Sequence, residues 1–319
     1  MSKQARGWLM AAGALILVGC ILFAGVMTTL KWDFSKLGTV RLVTTTHDIV
    51  DEFDHIALET DTADVVFVPS DGGCRVVCRE EQNAAHTVGV QDRTLVIRGT
   101  DDRHWYQHIG ISFRSPKITV YLPKTVYGAL SIKGSTGDIE LPQGLSFDAV
   151  DIAVSTGDIE LMADAVGAIK VHTSTGDIHI EGASADEMAL SVSTGHIDAE
   201  DITCAKDMTV RVSTGKIALQ NVQCGALASV GSTGDVDLKN VVATGSFSIE
   251  RSTGDVKLNG CDAAEMVIKT STGDVTGRLL SDKIFIANAS TGDVDVPKST
   301  VGGRCEVTTG TGDIKLRVD

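Results

Sequence analysis

From residue 129 onward, apolar and polar positions alternate in short blocks, and a glycine interrupts the alternation every 19 or 20 residues. These glycines are Gly137, Gly157, Gly176, Gly195, Gly215, Gly234, Gly254, Gly273, Gly292 and Gly312. Counted from each glycine, position +2 is Ile or Val throughout: Ile139, Ile159, Ile178, Ile197, Ile217, Val236, Val256, Val275, Val294 and Ile314. Position +4 is mostly Leu, Ile or Val. Position −7 is Leu130, Val150, Ile169, Met188, Met208, Leu227, Phe247, Met266, Phe285 or Cys305, and position −5 is apolar except at Ser229. Period two on each side of the glycine marks a strand with one buried face. The two alternations are out of phase: inward at −7, −5 and −3 predicts inward at −1 and +1, yet the apolar residues fall at +2 and +4. One residue is inserted at the glycine, as at a corner or bulge, and glycine tolerates the φ angles that corners need. The S-T-G-D unit is thus a bend joining two strands of one coil. The remainder, such as EGASADEMA, reads as a looser return arc.

A catalytic loop is needed once, whereas ten copies of one unit indicate a supersecondary element stacked on itself. The pattern predicts an all-β, single-chain parallel β-solenoid with about 19–20 residues per coil. At about 4.8 Å per coil, ten coils make a rod of roughly 48 Å. The L-x-x-L-x-L signature of a leucine-rich horseshoe is missing, and a propeller blade would take two units. Residues 46–128 carry irregular short β-type runs such as ADVVFVP and RTLVIRG. There Thr62-Ala63-Asp64-Val65 reads as a worn copy of the motif, so this region is a β cap or a set of degenerate coils covering the first regular one.

The first thirty residues differ in kind. Trp8 to Leu30 is an uncharged, mostly apolar run of 23 residues, long enough as a helix for a hydrocarbon core of roughly 30 Å. Lys3 and Arg6 before it place the N-terminus in the cytoplasm and the rest of the chain outside. Leu17-Val18-Gly19-Cys20 resembles a lipobox, but apolar residues continue for ten positions past Cys20. A lipidated Cys20 and a cleaved signal peptide are the alternatives to an uncleaved anchor. The chain then divides into a cytoplasmic stub and transmembrane anchor (1–30), a linker (31–45), the irregular region (46–128) and the regular array (129–319).

The net charge of −14 argues against nucleic acid as a partner. Of seven cysteines, Cys74 and Cys78 lie four apart in one strand, about 13 Å between Cα atoms, too far for a disulfide. Cys204 and Cys224 share position +9 with Val166, Ala185, Ala243 and Ala263, an inward column of small side chains. Stacked there, the two cysteines are near enough for a bridge, although buried free thiols are the simpler reading.

Two columns carry polar chemistry. Thr136, Thr156, Thr175, Thr194, Thr214, Thr233, Thr253, Thr272, Thr291 and Thr311 place a hydroxyl at −1, where stacking or backbone bonding at the bend accounts for them. Position +1 is Asp in eight copies (Asp138, Asp158, Asp177, Asp235, Asp255, Asp274, Asp293, Asp313) and is interrupted by His196 and Lys216. Bend carboxylates accept local backbone N–H groups. Yet carboxylates one coil apart also repel, and with Glu140, Glu160, Asp237 and Asp295 at +3 they form an acidic ridge. Asp138, Glu140, Asp158, Glu160, Asp177, Asp235 and Asp237 are accordingly weak Ca²⁺ candidates. No other cofactor is indicated. In DDRHWYQHIG, Arg103, His104, Trp105, Tyr106 and His108 suit either partner recognition or a cap on the solenoid end. No nucleophile elbow, H-E-x-x-H or P-loop lysine is present.

Ten S-T-G-[DHK]-[IV] copies behind an N-terminal anchor and an irregular β region resemble the bacterial β-strand-repeat "putative adhesin" domain family over residues 46–319. The resemblance implies a non-enzymatic, single-pass protein of the bacterial cell envelope that binds an unnamed protein or glycan ligand. An envelope-stress sensor or scaffold contacting membrane proteins is the alternative, and a glycan-active enzyme ranks below both. Because only seven residues follow Gly312, the final half-coil is expected to be an open edge, covered by self-association or by another protein.

Overall fold

The computed structural model describes residues 3–33, 42–81, 84–99 and 115–319. One helix, α1 (Lys3–Thr29), precedes an all-β body in which the regular coils stack on one another in parallel register. The apolar stretch Gly7–Thr29 of α1 is long enough to cross a membrane. The threonine column marks the register: Thr136, Thr156, Thr175, Thr194, Thr214, Thr233, Thr253 and Thr272 pair in succession.

The five coils from Gly176 to Gly254 are three-sided. The first side ends at the motif and buries positions −7, −5 and −3, as with Met208, Val210 and Val212. The second side buries +2 and +4, as with Ile217 and Leu219. Between them −2, −1 and +1 all face solvent, so the phase break spans the whole S-T-G-D corner. The corner glycines have φ between +124° and +147°, a region that L side chains rarely adopt. They are also the points of closest approach between coils. A Cβ on any of them would lie 1.8–2.2 Å from a backbone carbonyl oxygen of the adjoining coil.

The return arc is more regular than the sequence suggested. Gly182, Asp201, Asn221, Asn240 and Gly260, each six residues past a motif glycine, have φ of +53° to +68° and form a second corner. Asn and Asp tolerate this left-handed region better than other side-chain-bearing residues. Here they also chain together: Asn221 Nδ2 donates to Asp201 Oδ1 (2.8 Å), and Asn240 Nδ2 donates to Asn221 Oδ1 (3.0 Å). The third side buries +7 and +9, as with Ile202 and Cys204 or Val222 and Cys224. Val166 does not join this column. It is 67% exposed, and Ala165 takes the inward place, because the Gly157 coil reaches its third side one residue earlier.

Neither end of the stack follows sequence order. The worn motif does enter the column, since Thr62 pairs with Thr136 and Val65 with Ile139. But the layer formed by His55–Thr62 and Asp64–Ser70 lies between the Val126–Leu141 coil on one side and the later strands Thr94–Gly99 and Lys117–Pro123 on the other. Antiparallel strands then close that end: His86–Gln91 on Thr94–Gly99, Cys74–Glu81 on Lys117–Pro123, and Leu42–Ile49 outermost on Cys74–Glu81. The other end is exchanged in the same way. Gly303–Thr311 pairs with Val256–Thr272 on one side and Lys283–Thr291 on the other, and Ile314–Val318 likewise lies between Val275–Leu279 and Val294–Asp295. The C-terminal coil is therefore interior, which corrects the expectation of an open final half-coil. Among the described residues, the coil with one unpaired edge is Lys283–Asp295, with Ile284, Ile286 and Val294 exposed. Lys283, itself buried, pins its start through an ion pair with the partly exposed Asp262 (Nζ–Oδ1 2.5 Å).

Two polar side chains cross the core over glycines. Gly231 pairs with Arg251, and its missing Cβ leaves room for the guanidinium to reach Val212 O (3.0 Å), two coils away. Burial lowers the Arg251 pKa, and its Nε and Nη2 have no partner among the described residues. At the N-terminal end, His86 lies opposite Gly99, and its Nε2 meets Thr60 Oγ1 at 2.9 Å.

The exchanged order predicts an inverted protection pattern. Amide hydrogen exchange will be slower in Gly303–Thr311 than in Lys283–Thr291, although the former is nearer the C-terminus. Faster exchange in Gly303–Thr311 would contradict the interior placement.

Candidate functional site

The +1 column is a ladder between coils. Along it, seven aspartates, all but Asp293 in the edge coil, accept through Oδ1 the backbone N–H of the +1 residue in the neighbouring coil: Asp138 from Asp158 (2.9 Å), Asp158 from Asp177 (2.8 Å), Asp177 from His196 (2.7 Å). It resumes with Asp235 accepting from Asp255 (2.9 Å) and Asp255 from Asp274 (2.9 Å), then follows the exchanged coils to Asp313 (2.8 Å) and Asp293 (2.9 Å). The carboxylates thus do accept backbone N–H groups, but from the adjacent coil and not from their own bend. One oxygen of each of these seven is used in this way, and the N–H dipole facing it offsets the repulsion along the column. Among the described residues no three His, Cys, Asp or Glu side chains converge as a metal set.

His196 continues the ladder by other means. Its Nδ1 accepts the Lys216 N–H at 2.9 Å, which requires a neutral ring carrying its proton on Nε2. Lys216 ends the run, because an ammonium has only donors. Its Nζ turns instead to Asp237 Oδ2 at 3.4 Å. Beside this break the +3 column changes as well. Ala218 is its only apolar member in the ten copies, set among His179, Asp198 and Asp237. The result is an open groove of about 370 Å³ walled by Asp177, His179, His196, Asp198, Lys216 and Ala218. His179 Nε2 stands 3.8 Å from Glu181 Oε2 at its edge.

Residues 53–206 and 203–319 match the model of the family described as Toastrack DUF4097. The chain belongs to that family. Among curated proteins no relative matches this Toastrack chain. Among crystal structures it is similar to a "putative adhesin" from Bacteroides fragilis, 18% identical, covering 86% of this chain and 97% of that one with a TM-score of 0.41. A "putative lipid binding protein" from Parabacteroides distasonis is 15% identical, covering 88% of this chain and 98% of that one with a TM-score of 0.44.

The other sequence candidates are dispersed over the Toastrack body. The −1 threonines are in register at the outer corner. The hydroxyls that bond the corner backbone are instead the inward Thr173, Thr270 and Thr309 at −3, donating to Gly157 O (3.2 Å), Gly254 O (3.4 Å) and Gly273 O (3.0 Å). Glu140 and Glu160 pair in register on the ridge. Arg103, His104, Trp105, Tyr106 and His108 lie outside the described residues. Cys204 and Cys224 are free and buried, and burial pushes the Cys224 thiol up to about 12, which disfavours the reactive thiolate. Sequence reading did not single out Glu80 and His86. Both are almost fully buried; His86 Nδ1 contacts the Glu80 carboxylate, and Glu80 Oε1 accepts the His86 N–H (3.0 Å). The signal was available: His86 is polar where an inward cap residue is expected, and it faces a glycine.

Asp177→Ala will lower the melting temperature by a few degrees, because it leaves the His196 N–H without its acceptor, whereas Asp177→Asn keeps an acceptor and will melt near the parent. Equal melting of the two variants would remove the ladder's energetic role. The Asp313 carboxyl is held below its ordinary range first by the Asp293 N–H and then by Lys315. A carboxylate with a depressed folded pKa contributes stability that is complete above the unfolded value of about 3.9 and lost as pH falls through the lower folded value. The protection factors of the Lys283–Asp295 coil, exchange rates corrected for the intrinsic pH dependence, will therefore fall below about pH 4, and Asp313→Asn will flatten that fall.

Proposed function

We propose that the protein is a membrane-tethered, non-enzymatic binding rod of the cell envelope. In this reading α1 crosses the membrane with Lys3 and Arg6 on the cytoplasmic side, and the solenoid stands outside as a stiff support for ligand contact. The observation that carries it is the use of polar groups in the body. The ladder aspartates bond the backbone of the next coil, the αL corner amides bond each other, and the buried thiols are held protonated. These groups hold coils together, and the outward +1 and +3 side chains form a ridge, interrupted by the groove at Lys216, a form suited to contact with an extended ligand.

In intact cells, an epitope fused after Asp319 will be accessible from outside the cytoplasmic membrane, while the protein fractionates with that membrane. The full chain in lipid nanodiscs will co-sediment with purified envelope material and leave it chemically unchanged. A cytoplasmic epitope, recovery in the soluble fraction, or turnover of the envelope material would each overturn the proposal.

A further inference from the structure

The groove at the ladder break, between Asp177, His179, His196, Asp198, Lys216 and Ala218, has a composition that selects among ligands. We infer that it is a binding subsite for a neutral saccharide; this rests on the binding reading above and names its ligand class. An anion is disfavoured. His196 is neutral as the acceptor of the Lys216 N–H, the Lys216 ammonium is matched by Asp237, and the carboxylates of Asp177 and Asp198 remain. A metal ion is disfavoured because no three donors converge among the described residues. A cationic ligand has no reason to choose this position, since the break exchanges two ridge carboxylates for an imidazole and an ammonium.

An uncharged polyol fits what is left. A sugar hydroxyl both donates and accepts, so it needs both kinds of partner within one small space. The His196 Nε2–H and Lys216 Nζ supply donors, and Asp177 and Asp198 supply acceptors. Elsewhere on the ridge the +1 side chains are carboxylates, which only accept. Ala218 provides the room: with a long side chain at +3, as in the coils bearing Glu160 or Lys257, the groove would be filled. Its volume of about 370 Å³ is in the range of a small-molecule site.

The coils on either side supply the test variant. His196→Asp/Lys216→Asp writes the common ladder residue back into both positions, so the backbone N–H groups of Lys216 and Asp235 regain carboxylate acceptors while the groove loses both donors. The variant will melt at or above the parent temperature. On an array of neutral and acidic oligosaccharides, the full chain in nanodiscs will bind neutral members, and the double variant will bind them about tenfold or more weakly. Ala218→Glu, which fills the groove and leaves the ladder untouched, will show the same loss. Undiminished binding by both variants would place the sugar site elsewhere. Preference for acidic oligosaccharides, or no binding to any neutral member, would overturn the ligand class. Co-sedimentation with envelope material is read separately, so the wider proposal can stand while this one fails.

Discussion

The tightest constraint in the molecule is the contact between successive corner glycines. Each places its Cα where a Cβ would collide with the carbonyl oxygen of the adjoining coil, and each holds a φ that a side chain would disfavour. The glycines let the corner keep the strand spacing of about 4.8 Å that the sheet hydrogen bonds set. With the glycines stacked so closely, residue +1 of one coil lies directly beside residue +1 of the next, near enough for a carboxylate to reach a backbone N–H. The aspartate ladder is thus a consequence of the glycine column. The carboxylate adds to the parallel sheet a hydrogen bond at the corner, where the ladder of backbone pairs is interrupted.

The regular part of the fold was legible because it obeys one rule ten times. The +2 and +4 residues, the −7 and −5 residues and the phase break at the glycine each repeat, and repetition averages out local noise. The second corner was harder to read. Its residues are Gly182, Asp201, Asn221, Asn240 and Gly260, three residue types united only by tolerance of a left-handed backbone. Viewed as chemistry they do not form a column; viewed as conformation they do. Val166 was misplaced for a related reason, since counting from the glycine assumes that every coil has the same number of residues between corners.

What the sequence did not reveal was spatial order and reach across the core. Period and polarity identify a coil but carry no information on which coil lies beside which, so the exchange at both ends was hidden. His86 and Arg251 were obscure because each depends on a glycine in a different strand: the first lies over Gly99, the second over Gly231. The same physics produced both. An inward glycine removes one layer of side chain, and a long polar residue on the neighbouring strand passes through the gap. The groove is only half visible in sequence. His196 and Lys216 stand out as departures, but the role of Ala218 emerges when the +1 and +3 columns are placed side by side.

The exchanged coil at the C-terminal end also has a mechanical meaning. A solenoid that ended in sequence order would expose its last strand along one edge, and tension on the C-terminus would peel it away one hydrogen bond at a time. Here Gly303–Thr311 is held along both edges, by Val256–Thr272 and by Lys283–Thr291. Force applied at Asp319 first frees Leu316–Val318, paired along one edge, and then meets strands paired along two. In a stacked fold loaded near that end, the arrangement turns an otherwise weak point into a clamp.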